Sequence, residues 1–251
     1  MNRVTTFDSD MQQCWKVKGL NASIFSSNYS MRFKSLIFDF DGLLADSKEL
    51  YIQVSWNALK TFGNYSREEV AMQLIPSIPG TLSLFLKKKQ EITQAVKIVN
   101  ETIIREENLR LLKPCEGVPE VPKVLANQGS YDLGLVTNSY RAFLERGLAI
   151  LGLEDCFDRT IAADDGFKSK QEGCLSLINH FGSSNQTTLY IGDTEHDVEV
   201  ARDIGCKVAI VLNPCSWMWR RKEALKRLKP DYLIPSLNAL PKLLEETYAE
   251  C

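Results

Sequence analysis

Six short apolar runs, most of them followed by a turn and a helix-length stretch, constrain this chain more than any other feature of its sequence. They lie at residues 35–40, 133–137 (LGLVT), 160–163 (TIAA), 188–193 (TLYIGD), 207–212 (KVAIVL) and 232–235 (YLIP). In the first run Leu36, Ile37 and Phe38 leave no polar face, the pattern of a strand covered on both sides. Between and after the runs, helical periodicity is expected over 119–128, 140–152, 171–181, 196–204 and from 237 onward. Strands alternating with helices predict an α/β fold with a parallel, doubly wound sheet. In such a sheet ligands bind outside the carboxyl ends of the strands.

One long stretch interrupts the alternation. Leu50, Val54, Trp56 to Leu59 and Phe62 recur at helix spacing up to Gly63-Asn64, and Ser66 with Glu69 has the spacing of a capping box. Pro76 and Pro79-Gly80 break the chain before Leu82 to Lys88 and Glu91 to Leu112, which read as two more helices. The expected organisation is a tail over 1–31, an α/β core from 32–47 and 114–251, and a four-helix insertion over 48–113.

Composition narrows the function classes. The 251 residues are 44% apolar and 25% charged with a net charge of −2, so no global basic field attracts nucleic acid or an anionic membrane. No apolar run is long enough to span a bilayer. The first thirty residues carry Asp8 and Asp10 without an apolar centre, unlike a secretory or transit signal. Seven cysteines without a CxxC pair fit a reducing compartment, and the expected location is cytoplasmic. With only His180 and His196 available, a zinc site is discounted.

The chemistry-bearing residues sit at the ends of the apolar runs. Asp39 and Asp41 are two apart, so on an extended chain both carboxylates point to one side. Two such anions are tolerated if a divalent cation neutralises one or if one stays protonated. Alone the pair also reads as a strand ending in an Asp/Gly turn. Thr137-Asn138-Ser139 ends another run and offers donors to phosphoryl oxygens, or a cap for the next helix. Asp193 with Asp197 ends a third, as a metal pair or as helix-terminus residues. Lys168 and Lys170 lie in the loop between them.

Taken in order, these residues resemble the four motifs of the haloacid dehalogenase superfamily: DFDG at 39–42, VTN at 136–138, a lysine, and GDTEHD at 192–197. The resemblance implies that Asp39 is a nucleophile forming an aspartyl-phosphate and that Asp41 is the general acid and then the base. It implies Mg²⁺ held by Asp39, the main-chain carbonyl of Asp41 and Asp193, with Asp197 in support. Thr137, Asn138 and Lys168 would bind the transferring phosphoryl group. Residues 48–113 would form the small helical cap that covers the site and selects the substrate.

Departures from the family pattern refine this expectation. The lysine motif reads FKSKQEG without its usual prolines; Lys168 is preferred because Glu172 then falls at the acidic position, with Lys170 as the competitor. Asp41 points to phosphate esters, because dehalogenases lack it. Tyr51 stands where sugar phosphomutases of the β-phosphoglucomutase type carry a histidine. The expected function is therefore a phosphatase of a small phosphorylated metabolite, similar to phosphoglycolate phosphatases, with a phosphomutase or pyrophosphatase as the alternative. A receiver-like or silent binding protein is the non-enzymatic alternative. Trp217, Trp219, Arg220 and Arg221 read as a helix that packs its tryptophans and solvates its arginines, with a phosphate or partner contact as the alternative.

Overall fold

The computed structural model describes residues 33–249, so the tail expected over 1–31 lies outside the described residues. Six parallel strands form the sheet: β1 (Ser35–Phe38), β4 (Asp132–Val136), β5 (Arg159–Ile161), β6 (Thr188–Gly192), β7 (Lys207–Val211) and β8 (Tyr232–Ile234), in the order β5-β4-β1-β6-β7-β8. β1 is central, with Phe38 opposite Leu135 on one side and Ile191 on the other. From β1 the chain runs to β4 and β5 on one side and then crosses to β6, β7 and β8 on the other, so the strand order reverses at β1 and a crevice opens at its carboxyl end.

The apolar runs are continuous because both sheet faces are covered. Leu36, Phe38, Leu133, Leu135, Leu189 and Ile191 enter one core with Val121, Leu125, Phe143 and Leu148 from the helices Glu120–Gln128 and Arg141–Leu151. Ile37, Val136, Tyr190, Val208 and Ile210 enter the other with Leu177, Ile178, Val198 and Ala201 from the helices Lys170–Phe181 and Glu195–Ile204. The alternation of 36 and 38 against 37 is the period-two consequence of the pleat.

Between residues 48 and 109 the chain forms the helices Lys48–Leu59, Arg67–Gln73, Ile78–Phe85, Lys89–Thr102 and Glu106–Leu109. The Ser66–Glu69 capping box is present in both directions. The single helix expected over Glu91 to Leu112 is instead broken after Thr102. There the Thr102 hydroxyl bonds back to the Ile98 carbonyl (2.7 Å), and the Asn108 amide donates to the Thr102 carbonyl (2.8 Å). The β-branched run Thr102-Ile103-Ile104 adds little helix propensity to oppose this.

Two crossings join this insertion to the sheet, and they pair with each other. β2 (Ala45–Asp46) and β3 (Lys113–Pro114) run antiparallel, with Ala45 opposite Pro114. Strands of two residues carry no periodicity, so the sequence does not announce them. Among the described residues, no helix is long and apolar enough to cross a membrane.

Candidate active site

Asp39 follows β1 directly, and its backbone N–H still reaches the Ile191 carbonyl (2.9 Å). Its side chain is buried: Oδ1 accepts from the Phe40 N–H (2.7 Å), and Oδ2 lies 2.9 Å from the Lys170 ammonium. A tight turn then reverses the chain, with the Leu44 and Ala45 N–H groups donating to the Phe40 carbonyl. Gly42 sits in this turn at φ +80°. A Cβ there would stand 2.3 Å from Asp193 Oδ2 and 2.4 Å from the Trp217 ring, so both backbone and space require glycine.

Asp41 is half-buried and held differently from Asp39. Its Oδ2 accepts from the Ser139 hydroxyl at 2.6 Å, while Oδ1 is buried with no partner among the described protein atoms. The Tyr51 hydroxyl lies 2.9 Å from the Ser139 hydroxyl. A hydroxyl has one proton to give, so with Asp41 ionised Ser139 donates to Asp41 and Tyr51 must donate to Ser139. Tyr51 belongs to the first helix of the insertion, which therefore touches the Asp41 carboxylate through one intermediary.

β6 delivers the second acidic pair. Asp193 Oδ2 accepts from the Trp217 N–H (2.6 Å), whereas its Oδ1 is buried without a partner among the described protein atoms. Asp197 lies in the first turn of the helix Glu195–Ile204, where Thr194 is the N-cap. Its Oδ2 accepts from the Asp193 N–H (3.0 Å) and from the Thr194 N–H and hydroxyl (2.9 and 2.7 Å). Its Oδ1 accepts from Lys170 (2.8 Å) and the Tyr190 hydroxyl (3.0 Å). A Cβ on Gly192 would stand 2.4 Å from Asp197 Cγ, so only glycine lets this carboxylate tuck beneath the strand end.

The two candidate lysines, Lys168 and its competitor Lys170, are placed differently. Lys168 is exposed, and its backbone N–H donates to the Glu172 carboxylate (2.6 Å). Lys170 is buried and bridges Asp39 and Asp197. The reason is local: Ser169 caps the helix Lys170–Phe181, its hydroxyl accepting from the Glu172 N–H, which puts Lys170 at the first helical position. Side chains in a helix lean toward its N-terminus, here toward the strand ends. Thr137 is buried at the end of β4, and its Oγ1 accepts from the Ser139 N–H (3.1 Å), which leaves its own proton to donate elsewhere. Asn138 is exposed at the cavity wall.

Charge explains why these groups belong together. Burial drives Asp39 up to about 7 even though Lys170 opposes it. Burial, and then the charges of Asp197 and Asp39, push Asp193 well above the usual carboxylate range. Burial raises Asp41 as well, against the hydrogen bond from Ser139. Burial would also raise Asp197, but the Lys170 ammonium and the hydrogen bonds from Lys170 and Thr194 outweigh it and hold Asp197 down to about 2. The same two carboxylates, Asp197 and Asp39, overcome the desolvation of Lys170 and keep it charged.

Oxygens of Asp39, Asp193 and Asp197 lie within 4.8 Å of one another. Three carboxylates against one ammonium leave two buried negative charges, which a divalent cation would balance. The donor set fits a hard, oxygen-seeking ion. Asp193 Oδ1 has no other partner among the described protein atoms, while both Asp197 oxygens are already engaged, which suits a support and not a ligand.

Above the strand ends lies a cavity of about 610 Å³. Asp39, Asp41, Thr137, Asn138 and Lys170 line its floor, and Ile78, Val96, Asn100 and Ile103 from the insertion line the opposite side. Sequence reasoning named Ser139 as a donor to phosphoryl oxygens, Tyr51 as the residue standing where phosphomutases carry a histidine and Trp217 as packing, but it foresaw neither the Tyr51–Ser139–Asp41 chain nor the Trp217–Asp193 bond. The spacing Ser169-x-x-Glu172 could have placed Lys170, but nothing in the sequence signals the Tyr51–Ser139 contact.

Comparison with known proteins agrees with this arrangement. Residues 36–211 match the haloacid dehalogenase-like hydrolase family. Pyrophosphatase PpaX of Halalkalibacterium halodurans is 28% identical over 220 residues, covering 86% of this chain and 97% of that protein. Pyrophosphatase PpaX of Bacillus cereus is 28% identical over 221 residues, covering 86% and 98%. A haloacid dehalogenase-like family hydrolase from Streptococcus pneumoniae superposes with a TM-score of 0.73 at 18% identity, covering 85% of this chain and 99% of its own. A predicted phosphoglycolate phosphatase from Haemophilus somnus superposes with a TM-score of 0.67 at 20% identity, covering 84% and 98%. On the family match, carried by this fold and these strand-end acids, the chain belongs to the haloacid dehalogenase-like hydrolases.

Proposed function

We propose that the protein is a Mg²⁺-dependent phosphatase that cleaves a small phosphorylated metabolite through an aspartyl-phosphate on Asp39. The observation that carries this reading is the unlike treatment of two carboxylates facing one cavity: Asp39 is bound by cationic Lys170, and Asp41 by a neutral hydroxyl. In the first step an Asp39 oxygen bonds to phosphorus, the bond to the leaving oxygen breaks, and that oxygen takes the Asp41 proton. In the second, water attacks the phosphorus and gives a proton to Asp41, and the bond to Asp39 breaks to restore its carboxylate. Thr137 and Asn138 donate to the phosphoryl oxygens, and Lys170 holds the nucleophile in place while adding positive charge. Asp39, Asp193 and the Asp41 carbonyl would hold Mg²⁺, which, when bound, supplies charge neutralisation at the phosphoryl group. The helices between 48 and 113 act as the cap. The free thiols of Cys115, Cys156, Cys174, Cys206 and Cys215 support a reducing, cytoplasmic setting.

Phosphate release from a panel of phosphate monoesters, with Mg²⁺ and with a chelator, tests the reading. Turnover that needs the metal is expected; no release from any ester contradicts it. Pyrophosphate is the second reading, favoured by the name of the curated relatives, and belongs in the same panel.

Metal affinity should depend on pH. Asp39 is raised from 3.8 to about 7, so in the metal-free protein its contribution to stability is present below 3.8 and is lost as pH rises through about 7. Mg²⁺ needs the ionised carboxylate, so its affinity moves the opposite way. Titration calorimetry should show binding tightening by at least about tenfold between about pH 6 and about pH 8, because Asp193, also raised, adds to the dependence set by Asp39. A constant affinity would contradict the ligand role of Asp39.

Tyr51→Phe removes the donor behind Ser139. Leaving groups that need a proton should suffer most, so turnover of alkyl phosphates is expected to fall about three- to tenfold, with p-nitrophenyl phosphate changed less than about twofold. Equal losses on both would reduce Tyr51 to packing.

A further inference from the structure

We propose that the site selects phosphate monoesters of an uncharged, largely apolar alcohol and works against leaving groups that carry a carboxylate or a second phosphate. This rests on the phosphatase reading above. The floor of the cavity provides for the phosphoryl group; the rest of the 610 Å³ is available to the leaving group, far more than a two-carbon acid fills.

The walls around that space are apolar. Ile78, Pro79, Val96 and Ile103 come from the insertion, and Phe143 and Trp217 from the core. Polar groups on the insertion side are the Tyr51 hydroxyl, which is turned to Ser139, and Ser77 and Asn100, both neutral and able to bond a hydroxyl or an amide. Among the described residues lining the cavity, Lys170 is the sole lysine or arginine, and it is committed to Asp39 at 2.9 Å and Asp197 at 2.8 Å. His196 also lines the cavity, but its side chain is exposed to solvent and its Nδ1 is turned to the Glu199 carboxylate at 3.7 Å. An anionic leaving group would surrender hydration here without a counter-charge, whereas methylene or ring carbons would leave water for an apolar wall.

The test compares kcat/KM, in Mg²⁺, for phosphoglycolate, its neutral analogue 2-hydroxyethyl phosphate, benzyl phosphate and pyrophosphate. Phosphoglycolate and 2-hydroxyethyl phosphate differ by a carboxylate and little else. We expect 2-hydroxyethyl phosphate to exceed phosphoglycolate by at least about tenfold, with benzyl phosphate higher still and pyrophosphate among the poorest. Asn100→Lys, which adds a cation to the wall, should shrink the first ratio by about tenfold. Phosphoglycolate or pyrophosphate used as well as, or better than, the neutral esters by wild type overturns the inference and leaves the phosphatase reading intact, provided that Asp39→Asn abolishes the activity. If no ester is hydrolysed faster by wild type than by Asp39→Asn, the phosphatase reading itself falls.

Discussion

Asp39→Asn should lower turnover of any phosphate ester by at least about 10⁴-fold, because an amide cannot form the covalent intermediate and no second carboxylate can take its place. Asp41 is turned to Ser139, Asp193 to the Trp217 N–H, and Asp197 is saturated beneath the strand end. The loss should be in kcat, with the protein still folded. Both Asp39 oxygens face donors, the Phe40 N–H at 2.7 Å and Lys170 at 2.9 Å, so an amide satisfies one and turns its own NH₂ toward the other. That mismatch costs about 1–3 kcal/mol, against which stands relief from a buried charge that already resists ionisation. Phosphate release and thermal unfolding of the variant check both parts. Near-normal turnover would remove Asp39 from the chemistry.

Lys170→Met should be costly in both respects. The ammonium is the cation between buried Asp39 and Asp197, and its removal leaves two carboxylates with no positive neighbour of their own. Breaking a buried pair in this way costs about 3–5 kcal/mol. Turnover should fall by about 10²–10³-fold through loss of transition-state charge stabilisation. Asp197, no longer held down by the ammonium, should titrate higher, so the variant should lose further stability as pH rises above the acid range. Lys168→Ala is the control. Its side chain is exposed, and the contact with Glu172 comes from its backbone, so stability should change by less than about 0.5 kcal/mol and turnover hardly at all. Denaturant unfolding and steady-state rates of the two variants, side by side, decide between the lysines.

The contrast between those lysines shows what a sequence carries. The sheet was legible because a strand covered on both faces must be apolar throughout, and Leu36 to Phe38, Leu189 to Ile191 and Val208 to Val211 meet that demand without tertiary information. Asp39, Asp41, Asp193 and Asp197 were legible because a parallel sheet collects its ligands at the carboxyl ends of its strands, and each acid sits at or just beyond one. Lys170 was not, because it comes from a loop, where register depends on which residue opens the next helix. Ser169 settles this with one side-chain hydrogen bond, and a shift of two residues exchanges a buried lysine for an exposed one. Trp217 and Tyr51 were harder still. Trp217 reaches the site through the loop after β7, where its N–H finds Asp193 across 24 residues of sequence. Tyr51 meets Ser139 across 88 residues, a contact set by how the insertion folds back over the sheet. Neither separation leaves a local pattern. The break after Thr102 is local instead: Asn108 turns back six residues to cap the Thr102 carbonyl, a side-chain contact that apolar periodicity does not encode.

The central claim concerns a bond, and the bond can be looked for. Wild-type enzyme turning over a phosphate ester in Mg²⁺ is quenched in acid, digested and analysed by mass spectrometry. The predicted result is a phosphoryl group on the peptide that contains Asp39, labile to hydroxylamine and missing from Asp39→Asn. A phosphoryl group on another residue, or steady turnover in samples that never carry one on Asp39, would contradict it.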